Sequence, residues 1–231
     1  MRTRIYTQCP FVWHAASVTP AGAPAAPTAE LVAPPELVAP PRRGRGRRPS
    51  EQVRREVVDA AGRLLLAEGM AAFTIERVAA LAGASKMTIY KWWPSKGALA
   101  LDGYAAAVAP VLSFPDTGDL EADLTAQLTA FVHLLRETRA GRVVAELIGA
   151  AQTDPDLAAA YQQRYSGPRR ALAVQALARA RERGQVRDDV DLEAVVDQLW
   201  GACYHRLLLP DQPLTDGFAE ALVRHVVHGV R

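Results

Sequence analysis

Asparagine is absent from the 231 residues, lysine occurs three times and cysteine twice. The two cysteines, Cys9 and Cys203, are too few for a disulfide framework or a CxxC metal cluster, and fit a reducing, cytoplasmic setting. No apolar run approaches the roughly 18 residues of a membrane span, because Pro110 breaks the longest one, 105–114. The basic start has no hydrophobic stretch behind it, since Gln8-Cys9-Pro10 intervenes, and no secretory signal is expected. Period-two alternation and β-branched runs are missing, which argues against a sheet. So are Gly-x-Ser-x-Gly, a glycine-rich phosphate loop and His-Glu-x-x-His, so neither an enzyme nor a cofactor is expected. His225 and His228 are spaced i, i+3 and His205 lies two residues from Cys203, but no third ligand stands at a fitting distance, and no metal site is expected.

What is present is apolar residues at 49%, enough for a core, and a charge that is unevenly divided. Residues 1–41 are neutral, 42–103 carry twelve basic against six acidic side chains, and 104–231 carry thirteen against seventeen. A basic module joined to a mildly acidic one suggests a head that binds a polyanion and a body with another task. All three lysines, Lys86, Lys91 and Lys96, fall within eleven residues of a chain that otherwise uses arginine, 24 times.

Between Pro20 and Pro41, fourteen of 22 residues are alanine or proline, which reads as an extended, solvated tail. Five arginines follow between 42 and 48. From Ser50, an expected helix N-cap, the apolar spacing becomes helical, giving segments 50–68, 75–81, 85–92 and 95–112. Five longer blocks follow at 119–138, 142–152, 155–183, 191–209 and 215–230. The expected fold is all-α: a tail over 1–48, a three-helix head over 49–97, and a larger helical regulatory and dimerisation domain over 98–231.

Residues 75–94 meet the demands of two short crossed helices. Ala79 supplies a small residue at the crossing, Gly83 a positive φ in the turn, and Val78, Ala82, Ala84, Ile89 and Trp92 an apolar interface. Ser85, Lys86, Met87, Thr88, Tyr90 and Lys91 then face outward, with polar and cationic chemistry sized for a DNA major groove. Thr74 and Ser85 mark helix starts suited to phosphate oxygens. The string Gly83-Ala84-Ser85-Lys86-Met87-Thr88-Ile89-Tyr90-Lys91-Trp92-Trp93-Pro94-Ser95-Lys96 closely resembles the DNA-binding signature of TetR-type transcriptional repressors. That resemblance implies phosphate contacts at Tyr90 and Lys96, and places Lys86, Thr88 and Lys91 in or beside the groove. It also implies a homodimer on a pseudo-palindromic double-stranded operator, released by a small apolar effector bound in the body. The arginine run, with Arg45, Arg47 and Arg48, reads either as an arm entering an adjacent minor groove or as an unspecific basic linker.

In the body, Tyr104, Phe131, His133, Leu147, Tyr161, Tyr165, Trp200 and Tyr204 are candidate ligand-pocket residues, although aromatics at helical spacing are commonly core. The last two blocks carry apolar stripes, Leu192, Val196, Leu199, Cys203 and Leu207 on one and Phe218, Leu222 and Val226 on the other. Pairing with their copies would form an intermolecular four-helix bundle, while burial within the chain is the competing reading.

Overall fold

A computed structural model describes residues 49–209 and 211–230, and every regular element among them is helical. The tail, with Arg45, Arg47 and Arg48, lies outside the described residues. The head is built from α1 (Ser50–Glu68), α2 (Ile75–Ala82) and α3 (Lys86–Trp92). Ser50 is the first helical residue rather than the cap: Pro49, in extended backbone, lends its carbonyl to the Val53 amide. Thr74 and Ser85 do cap, their hydroxyls accepting from the Arg77 and Thr88 amides at 3.2 and 3.1 Å.

Between α2 and α3, Gly83 sits in the left-handed region at φ 60°. The Ala84 amide reaches back to the Ala79 carbonyl at 3.0 Å, closing a turn that only a residue free of Cβ strain adopts cheaply. Val78, Ala79, Ala82 and Ile89 are buried, as the crossing requires, whereas Ala84 is half-buried. Trp92 is not the interior residue of the pair. It is half-buried and lies edge-on, 5.7 Å from Trp93, which is fully enclosed. The helix stops at Trp92, and the extended backbone of Trp93 turns that larger ring into the core.

The long α4 (Lys96–Val108) joins head to body and lies along α1. Its spacing to α1 is set by a pair of glycines, for a Cβ on Gly62 would stand 2.6 Å from the Gly103 carbonyl oxygen. The 97/98 boundary therefore cuts into a continuous helix that packs against the head. Beyond it come α5 (Leu120–Glu137), α6 (Ala140–Ala151) and α7 (Pro155–Tyr161). Gly141, expected to separate two helices, lies inside α6, where an added Cβ would meet the Leu135 carbonyl at 2.1 Å. The break falls instead at Thr138, whose hydroxyl bonds both the Leu134 carbonyl and the Ala140 amide.

The block expected over 155–183 is interrupted. After α7, a π-helical segment, Gln162–Ser166, precedes α8 (Gly167–Glu182). Pro168 has no amide to give and its ring would crowd the carbonyl four residues back, so the helix widens there. The Gly167 amide reaches the Gln162 carbonyl, five residues earlier, and a Cβ at 167 would stand only 2.6 Å from that oxygen. A second π segment, Asp197–Gly201, separates α9 (Leu192–Val196) from α10 (Ala202–Leu208), and α11 (Asp216–Val230) packs on α5.

Candidate nucleic-acid interface and aromatic cavity

The outer side of α3 carries a row of exposed, chemically diverse side chains. Ser85, Lys86, Met87, Tyr90 and Lys91 are all exposed, with Met87 at 81% and Tyr90 at 51%. At this exposure the Met87 side chain contributes little to the core of the head. Thr88 is half-buried, its hydroxyl 2.9 Å from that of Ser85. Lys86 lies 3.1 Å from Glu76, so this ammonium must trade a weak surface pair for any phosphate it meets. Lys91 forms no ion pair among the described residues. Lys96 stands exposed on the first turn of α4 and donates to the Met70 carbonyl at 3.3 Å. Thr74 is half-buried at the start of α2. The structure thus brings Ser85, Lys86, Met87, Tyr90 and Lys91 onto one surface, with Thr88 at its edge.

Two residues the sequence reading passed over hold that surface in place. Both terminal guanidinium nitrogens of Arg77 donate to the Glu68 carboxylate, and one also reaches the Ala72 carbonyl, pinning α2 to the end of α1. Arg77 depresses the Glu68 carboxyl below its usual range by that hydrogen bond. Asp102 on α4 accepts, on one oxygen, from Trp93 Nε1 at 2.7 Å and from Arg164 at 3.0 Å. That carboxylate ties the end of α3 to the first π segment, a link spanning 62 residues that no local pattern could have announced.

The first π segment is also a cavity wall. A space of about 260 Å³ is lined by Phe114, Phe131, Tyr165, Trp200 and Tyr204, with Ser166, Arg169 and Ala173 among its other neighbours. Both π segments contribute, and the exposed Gln162, Asp197 and Gly201 stand at its rim. Of the eight pocket candidates, Phe131, Tyr165, Trp200 and Tyr204 line it. Tyr104 and Tyr161 stand behind, each packed on Tyr165 with ring centres 5.2 and 5.5 Å away. Burial pushes the Tyr161 hydroxyl up to about 12, and Tyr104 and Tyr204 well above their ordinary value, so all three stay neutral donors. Leu147 is packed in the core and does not reach the cavity. His133 faces elsewhere, bonding Asp216 on α11 at 2.8 Å.

Arg169, which the sequence reading did not single out, projects into this cavity over the Phe114 ring, 5.4 Å from its centre, and donates to the Leu112 carbonyl. Burial lowers its basicity. The signal available in the sequence was the Gly167-Pro168 step inside an otherwise helical block. One turn before Phe131, Gln127 is 1% exposed, and neither polar atom of its amide finds a partner among the described residues.

The interface candidates divide. Leu199 and Cys203 are fully enclosed by their own chain, and Val196 and Val226 are buried to 5% and 8% exposure, so these four pack mainly within the chain. Leu192, Leu207, Phe218 and Leu222 remain half-buried, and Leu208 and Leu209, at 42% and 58%, are exposed beside them. Burial also raises the Cys203 thiol to about 12. In a Cys9→Ser background, a thiol-specific disulfide reagent at pH 8 is expected to label Cys203 only after denaturant is added. Rapid labelling of the folded chain would show that this packing is wrong.

Among the described residues no group of side chains could hold a metal ion, and no helix is long and apolar enough to cross a membrane. Residues 57–102 match the family of bacterial regulatory proteins of the tetR type, and residues 114–226 the tetracyclin repressor-like C-terminal domain. An uncharacterised HTH-type transcriptional regulator of Bacillus subtilis, YdeS, is 35% identical over 81% of this chain and 94% of its own length. A DNA-binding transcriptional repressor TetR of Mycobacteroides abscessus is 34% identical over 71% of this chain and 86% of its own. The crystal structure of the TetR family transcription regulator SCO0332 is 62% identical, covering 78% of this chain and 99% of that one, with a TM-score of 0.75. These relatives are transcriptional regulators and not enzymes, and the chain belongs to the TetR family of DNA-binding transcriptional regulators.

Proposed function

We propose that the chain is a homodimeric repressor that binds a pseudo-palindromic operator and leaves it when a small, largely apolar molecule occupies the aromatic cavity. The exposed Met87, Tyr90 and Lys91 surface of α3 is the observation that carries the DNA reading. Two copies would present their α3 helices to successive major grooves, with Tyr90 and Lys96 on phosphates and Lys86, Thr88 and Lys91 at or beside base edges. Leu207, Leu208 and Leu209 with Phe218 and Leu222 form the apolar surface available for pairing. An occupant pressing on Tyr165 or Ser166 would reach α3 through Arg164, Asp102 and Trp93, favouring one head orientation over another.

Selection of bound duplexes from a random pool tests this directly. One palindromic sequence is expected, and Lys91→Ala should weaken binding to it about tenfold or more while relaxing selection at the base pair it faces. Equal affinity for every duplex would reject the reading in favour of unspecific DNA coating.

A further inference from the structure

The cavity wall holds one cation that is not in an ion pair. Arg170, at the rim, is held between Asp197 and Glu193, so its guanidinium is already engaged. Arg169 is not so held: among the described residues it forms no ion pair, and the hydrogen bond it makes goes to the uncharged Leu112 carbonyl. A guanidinium in a wall of aromatic rings has lost much of its hydration, and a carbonyl and a ring face return only part of it. Beside it, the Tyr165 and Tyr204 hydroxyls lie 3.5 Å apart. One unpaired cation, two hydroxyls and a box of flat rings define what fits.

We propose that this cavity takes a small organic acid, with a flat apolar body among Phe114, Phe131 and Trp200 and a single anionic group held by Arg169 and the two tyrosine hydroxyls. The planar fork of arginine binds a carboxylate through two parallel hydrogen bonds, which the Leu112 carbonyl alone cannot satisfy. A volume of about 260 Å³ lies just under the usual range of ligand pockets, about 300–1,000 Å³, so the acid is of one or two rings. This rests on the ligand-responsive reading above and narrows it from any apolar effector to an anionic one.

The test compares 2-naphthoate with 2-naphthamide, which have the same shape and differ in charge, by titration calorimetry on the full chain. The naphthoate is expected to bind at least about tenfold more tightly. Arg169→Met should abolish that preference while leaving the amide's affinity unchanged, and Arg169→Lys should keep part of it, with circular dichroism confirming the fold of both. An amide that binds as tightly as the acid in the unsubstituted chain overturns the proposal, as does a preference that survives Arg169→Met. Binding of neither probe at about 1 mM overturns it too. Duplex affinity measured in the same samples separates the two readings. Acid preference without any change in duplex affinity keeps this proposal and removes effector release. Duplex release by acid and amide alike keeps release and removes this proposal.

Discussion

Trp93→Ala is expected to destabilise the chain by about 3–5 kcal/mol and to abolish duplex binding. The indole is fully enclosed at the end of α3, and its removal empties the space of the largest fully buried side chain in the head. It also leaves Asp102 without its 2.7 Å donor, so the carboxylate at the junction of α4 and the first π segment keeps only Arg164. Trp93→Phe bears on the two contributions. It keeps one six-membered ring in the core and loses the N–H with the rest of the bicycle, for a cost of about 1–3 kcal/mol. A Phe variant that still folds and binds DNA, but whose duplex affinity no longer responds to a cavity ligand, would identify the hydrogen bond as the coupling element. A Trp93→Ala variant with unchanged melting temperature and duplex affinity would refute the account of the head.

Gly103→Leu is the second large effect. A Cβ at 103 would stand 2.7 Å from the Ala61 Cβ and 2.8 Å from the backbone nitrogen of Gly62, distances that no rotamer change relieves. Ordinary overpacking costs about 1–3 kcal/mol because side chains yield. Here one obstacle is backbone, so α1 and α4 must separate. We expect a loss of at least about 3 kcal/mol, with each kcal/mol lowering the melting temperature by about 2–4 °C in a chain of this length. Gly103→Ala should fall between the two. A Leu variant that melts with the unsubstituted protein would show that the helices are not held at this distance.

The head was legible because its demands are local. Thr74 and Ser85 cap helices through amides three residues on, Gly83 turns the chain where the next residue must reach back five, and Lys86 to Lys91 share one helical turn and a half. The apolar stripes of the body were legible too, but a stripe says that a face is covered and not by what. Val196, Leu199 and Cys203 read as partner-facing, with burial within the chain as the lesser alternative, yet in the structure they pack into their own core. The same limit misplaced His133, whose partner Asp216 lies 83 residues away.

By itself, then, the sequence determined the all-helical class, the head with its outward lysines and tyrosine, and the family. Those depend on periods of three to five residues. Tertiary structure alone decided that Trp93 rather than Trp92 goes inside, that two π segments open a cavity, and that Arg169 stands in it with no ion pair among the described residues. It also decided that Asp102 joins that cavity's wall to the end of α3. Each of these depends on which distant side chain arrives at a given surface, and the helical repeat carries no information about that.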